Sequence, residues 1–225
     1  EEDPRWVIRY LVGEDSMRMQ KAFWMSPAGK DAYTWFPGVI EMDATYKTNK
    51  FRMPLVLVTG IDNHGITSLI CGALLDNETF NSYKWFCEKL KAACPGVNPR
   101  VIFSDGDKEI EKAIRAVFPS STHLLCRFHI AQNILKHSRA WGVKEKDMKD
   151  KLLKEFWEIA SLESAADFEA KFKEMVDNME DFPKAQEYLR GLLKTKKKWA
   201  FPYTHDHFVA GVASTQRQES ANYGV

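Results

Sequence analysis

Residues 39–75 contain three apolar runs with almost nothing between them. The runs cover 39–46, 55–61 and 67–75, and their joins at 49–52 and Asp62-Asn63-His64-Gly65 are rich in turn residues. A parallel connection needs a crossover of about a dozen residues or more, which neither join supplies. The three runs are therefore expected to pair as an antiparallel meander. The first one carries a carboxylate, Asp43, where it turns polar in Asp43-Ala44-Thr45-Tyr46-Lys47-Thr48-Asn49.

Upstream, residues 6–12 alternate large apolar and polar side chains, Gly13-Glu14-Asp15 supplies turn chemistry, and 16–25 returns, which predicts a β-hairpin. Ser26-Pro27 before Lys30-Asp31-Ala32-Tyr33 predicts a short helix with proline in its first turn. Downstream of the meander the period changes. Phe80, Tyr83, Phe86, Cys87, Leu90 and Cys94 share a helical face that Pro95-Gly96 ends. A strand at 100–104 ends on Asp105, repeating the arrangement at Asp43. A helix bearing Ile110, Ala113, Ile114 and Val117 stops at Pro119, a strand follows at 122–127, and another helix runs over 129–138.

From 141 to about 200 every signal is helical. Met148, Leu152, Phe156 and Ile159 form one stripe. Ser164 to Asp167 has the spacing of an N-terminal cap for a helix with Phe168, Phe172, Met175 and Val176. Tyr188, Leu189, Leu192 and Leu193 mark a third helix, and Thr215 with Gln218 has capping-box spacing for a last one carrying Glu219. Trp6, Trp24, Trp35 and Trp85 read as core. A meander followed by alternating helices and strands makes an α/β sheet with helices packed on it, the order of the ribonuclease H-like fold. The expected fold is thus a ribonuclease H-like mixed sheet with flanking helices, interrupted by an all-helical insertion. It divides into a hairpin and short helix (1–35), the first part of the core (36–140), the insertion (141–211), and a truncated final core helix (212–225).

Of the 225 residues 44% are hydrophobic, enough for a real core, and the net charge of +1 leaves nucleic-acid binding to local patches. The four cysteines form no CxxC pair, which points to a reducing compartment, cytosol or nucleus. No apolar run approaches the roughly 20 residues of a membrane span, and no membrane partner is expected. The ends read as the edges of a longer protein.

Three acids on separate segments, Asp43, Asp105 and Glu219, suit a pair of hard divalent ions that activate an attacking oxygen and neutralise a leaving one. Magnesium fits such oxygen ligands. Taken singly, an acid before glycine is ordinarily a turn or helix cap, and one in a first helical turn ordinarily complements the dipole. Asp107 stands open as a helix cap, an auxiliary ligand, or neither.

Asp43-Ala44-Thr45-Tyr46-Lys47-Thr48-Asn49, Ser104-Asp105-Gly106-Asp107, Cys126-Arg127-Phe128-His129 with Asn133, and the segment 214–222 together resemble the transposase domain of eukaryotic Mutator-like elements (MULE) over about residues 20–225. The resemblance implies a ribonuclease H-like fold with a helical insertion between the second and third acids. It also implies a DDE triad of Asp43, Asp105 and Glu219, and Mg²⁺ with Mn²⁺ as a substitute. The implied activity is cleavage of DNA at element ends with strand transfer into target DNA, by a homo-oligomer on DNA in the nucleus. The rival expectation is a domesticated transposase that binds DNA as a transcriptional regulator without catalysis.

Cys126 and His129 invite a zinc reading, but structural zinc takes four ligands and no second such pair is present, so zinc is not expected. Otherwise Cys126 is core and His129 a cap or a packed ring. The resemblance makes Cys126, His129 and Asn133 site-adjacent. Lys47, Lys50 and Arg52 beside Asp43, and Arg217 beside Glu219, are candidate phosphate contacts. Lys194, Lys196, Lys197, Lys198 and Trp199 combine charge with a stacking ring, or form a solvated helix end.

Overall fold

The computed structural model describes residues 3–13, 17–45 and 49–209. They divide into two compact units, one of residues 3–124 with 208–209, the other Leu125–His207.

The first unit is built on a mixed sheet of seven strands in the order β1-β2-β5-β4-β3-β6-β7. The N-terminal hairpin forms as its alternation predicts, β1 (Val7–Val12) against β2 (Met19–Met25), and β2 pairs antiparallel with β5 (Thr67–Leu74). The meander also forms: β3 (Val39–Thr45) lies antiparallel to β4 (Leu55–Ile61), and β4 to β5. Beside β3 runs β6 (Val101–Ser104), in parallel, and β7 (Thr122–Leu125) completes the sheet. The sequence expected β7 to continue to Arg127; instead Cys126 is a helix N-cap and Arg127 the first helical residue.

Side chains alternate along each strand. Ile40, Met42, Val56, Val58 and Ile102 point to one face and are buried with α1 (Pro27–Trp35), α2 (Phe80–Ala93) and α3 (Lys108–Val117). Val39, Val101, Phe103 and Leu124 point to the other. Helix α1 lies close on β5, for a Cβ added at Gly29 would meet the Ile70 carbonyl oxygen at 2.1 Å. Ser26 caps α1 by accepting from Gly29 N at 3.0 Å, and Pro27 fills its first position.

Only part of the tryptophan expectation holds. Trp24 and Trp85 are partly buried, but Trp6 is 46% and Trp35 76% exposed. Trp35 lies about 200° round the helix from the buried Tyr33, and Trp6 precedes a sheet-edge strand. The Tyr33 hydroxyl is buried without a hydrogen-bond partner among the described residues. Tyr33→Phe should therefore be neutral or raise stability by up to about 1 kcal/mol in chemical denaturation; a clear loss would reveal a partner for that hydroxyl.

The second unit is all helical: α4 (Arg127–Trp141), α5 (Lys146–Ala160), α6 (Ala165–Asp177), α7 (Pro183–Lys194), a 3₁₀ turn (Lys196–Lys198) and α8 (Phe201–Thr204). Gly142 ends α4 at φ 98°, the left-handed conformation glycine adopts without penalty. Ser164 caps α6 as its spacing predicts, accepting from Asp167 N. Leu152, Phe156 and Ile159 are core, whereas Met148 at the same stripe's end is exposed.

At the centre of this unit is Trp199. It is 2% exposed, its ring centroid lies 5.6, 5.6 and 5.7 Å from those of Phe156, Phe168 and Phe172, and its Nε1 donates to the Leu192 carbonyl. The expectation of a stacking surface at Trp199 is thus corrected. Its neighbours in sequence are lysines, but the 3₁₀ turn directs the indole inward among rings from α5 and α6.

Candidate functional site

Strands β3 and β6 pair Val39 with Val101, Ile40 with Ile102 and Glu41 with Phe103. Two residues beyond the last of these pairs stand Asp43, still within β3, and Asp105, just past the end of β6. Neighbouring strands lie about 4.8 Å apart. By alternation Asp43 follows Val39 and Glu41 on the sheet face away from α1–α3, whereas Asp105 stands just past the end of β6, where its charge and that of Asp107 act on Tyr83 of α2. Both acids are half-buried. The two acids singled out from sequence thus lie near the carboxyl ends of neighbouring parallel strands.

Local hydrogen bonds fix the second acid. Asp105 Oδ1 accepts from the backbone N–H of Asp107 at 3.1 Å. Buried Ser104 donates its hydroxyl proton to the Asp105 carbonyl at 2.9 Å and lies 2.8 Å from His123 Nε2. Asp107 acts as the cap of α3, its Oδ1 accepting from Glu109 N at 2.7 Å and Ile110 N at 3.0 Å.

Glu78, which the sequence reading missed, belongs to the same neighbourhood. Burial pushes its carboxyl above the ordinary value, and the charges of Asp107 and then Asp105 push it further the same way. It sits in Asn77-Glu78-Thr79 ahead of α2, a string whose composition reads only as a helix start.

Two carboxylates near neighbouring strand ends repel each other, and a cation between them relieves the repulsion. An all-oxygen pair with access to solvent fits a hard divalent ion that keeps some of its own waters.

Lys50 and Arg52 are exposed in the turn between β3 and β4, beyond the strand end that carries Asp43. Lys47, Arg217, Glu219 and the capping pair Thr215 and Gln218 lie outside the described residues.

Within the second unit Cys126 is the buried N-cap of α4, with half-buried His129 and Asn133 one and two turns on. Lys196 is tied by an ion pair to Glu169, which also accepts from Tyr203. That pairing raises the Lys196 ammonium above its ordinary value and lowers the Glu169 carboxyl. Lys194 and Lys197 are exposed and Lys198 is half-buried. A separate concavity of about 270 Å³, lined by Trp35, Phe36, Arg100 and Phe208 among others, lies at the start of β3, the opposite end from Asp43.

Residues 39–133 match the family described as "MULE transposase domain". Among curated Arabidopsis thaliana proteins, the chain is 32% identical to Protein FAR1-RELATED SEQUENCE 6 over 213 residues, covering 94% of this chain and 29% of the relative. It is 27% identical to Protein FAR1-RELATED SEQUENCE 4 over 224 residues, 99% of this chain and 30% of the relative. Against Protein FAR-RED IMPAIRED RESPONSE 1 it is 27% identical over 223 residues, 98% of this chain and 26% of the relative. The chain thus spans less than a third of each relative's length.

Proposed function

From a chain that belongs to the MULE transposase family through residues 39–133, we propose a DNA-directed catalytic domain that cleaves phosphodiesters at element ends and joins them to target DNA. The observation that supports this reading is the parallel pairing of β3 with β6, which leaves Asp43 and Asp105 near the carboxyl ends of neighbouring strands. These two carboxylates, with Glu219 as third acid, would hold Mg²⁺ or Mn²⁺. A divalent ion bound there supplies activation of the attacking oxygen and compensation of charge on the leaving one. In the first reaction water adds across the P–O bond and frees a 3′-hydroxyl; in the second that hydroxyl displaces an oxygen of a target phosphodiester.

A ribonuclease H-like fold is part of the proposal. It is supported by the strand order, which counted from β3 runs third, second, first, fourth, fifth, with the hairpin added outside. Lys50, Arg52, Lys197, Lys198, Lys47 and Arg217 would contact phosphates, with Lys196 held back by Glu169. Action in the nucleus as a homo-oligomer on DNA belongs to the same reading. Among the described residues no helix is long and apolar enough to cross a membrane.

A second reading, DNA binding for transcriptional control without chemistry, is favoured by relatives named for a far-red response rather than for transposition. End-labelled DNA incubated with the protein in Mg²⁺, Mn²⁺ or EDTA separates the two. The catalytic reading expects cut product in either metal and none in EDTA; DNA that is bound and remains uncut in both metals would decide for the regulator.

A further inference from the structure

We propose that Phe51 stacks on an unpaired nucleobase, with Lys50 and Arg52 meeting the phosphates on either side of it. The proposal rests on the DNA-directed reading above and adds to it a preference for frayed or single-stranded DNA over intact duplex.

The turn that presents Phe51 is braced from within. Asn49 Oδ1 accepts from Phe51 N at 3.1 Å and from Met53 N at 3.2 Å, and its Nδ2 donates to the Met53 carbonyl at 2.7 Å. Arg52 N donates to the Asn49 carbonyl at 2.9 Å, and Met53 and Pro54 beyond it are buried. Arg52 has φ 56°, a left-handed conformation that an arginine keeps only where surrounding bonds over-determine it. Asn49 supplies those bonds.

At the tip of this turn Phe51 is 69% exposed. The Lys50 ammonium lies 4.9 Å from its ring centroid, on one face, which leaves the other face for a ligand. Every base has a π-face, so a fixed aromatic ring flanked by cations suits nucleic acid irrespective of sequence. In an intact duplex those faces are already stacked, and only an unpaired or extruded base can meet the ring. The location agrees with this use. The pair Thr45 with Leu55 closes the β3–β4 ladder, so the turn stands beyond the strand end that carries Asp43, where a cut would leave frayed bases.

The test is binding in EDTA, which separates it from strand cleavage. The full chain is titrated with a forked duplex carrying 2-aminopurine at an unpaired position, and with the fully paired duplex. Wild type should favour the fork and quench its 2-aminopurine. Phe51→Ala should weaken fork binding roughly tenfold, the size of one base–aromatic stack, change duplex binding by less than about twofold, and abolish the quench. Phe51→Trp should restore both. Equal losses on the two probes, an unchanged quench, or a wild type indifferent to fork and duplex overturns the proposal. Failure to cut DNA in Mg²⁺ leaves it standing, because no measurement here depends on cleavage.

Discussion

Asp43→Asn is expected to lower metal-dependent strand cleavage by about a thousandfold, roughly 4 kcal/mol in the barrier. The substitution keeps the size of the side chain and the ladders of β3 with β4 and β6, and removes one negative charge from the Asp43–Asp105 pair. Cation binding provides a second readout. An ion that binds the folded chain stabilises it by mass action. Millimolar Mg²⁺ or Mn²⁺ should therefore raise the melting temperature of wild type and leave that of Asp43→Asn unchanged. Equal cleavage by both proteins, or equal metal-induced shifts, would falsify the assignment.

Trp199→Ala is expected to cost the helical unit about 4 kcal/mol. The indole is almost fully buried, touches the rings of Phe156, Phe168 and Phe172, and donates to the Leu192 carbonyl. Truncation leaves a cavity between α5 and α6 and an acceptor without its donor, two losses that add. Urea denaturation followed by far-UV circular dichroism measures it. A loss below about 1 kcal/mol would mean the neighbouring rings collapse into the space. Trp199→Phe keeps most of the volume and should lose less.

The strands and the β3–β4–β5 meander were legible because the meander's joins admit few alternatives and the period changes sharply after Leu75. The position of Asp43 and Asp105 near the ends of neighbouring strands was legible for a related reason: each closes an apolar run, and those two runs pair in parallel. Other features depend on contacts that local composition does not encode. Trp199 sits in a lysine-rich string, yet its burial is decided by phenylalanines on two other helices. Trp35 looks like core by residue type, but its angle on a nine-residue helix turns it outward. Glu78 belongs to a helix-start string, and only tertiary placement brings it near Asp105 and Asp107. The brace around Phe51 was legible in part, since asparagine is a known turn former, while the outward aim of the ring was not.

Strand β3 has bonded neighbours on both sides, β4 antiparallel and β6 parallel. Flanked by a ladder on each side, its backbone amides belong toward the slower end of a hydrogen-exchange profile. Among the described residues, the turn at Asn49–Arg52 is held by bonds within residues 49–53 and should exchange earlier. The chain thus passes, within a few residues, from a segment governed by sub-global opening to one governed by local fluctuation. Asp43 thus sits on the slowly opening segment while Phe51 sits on the one that fluctuates locally.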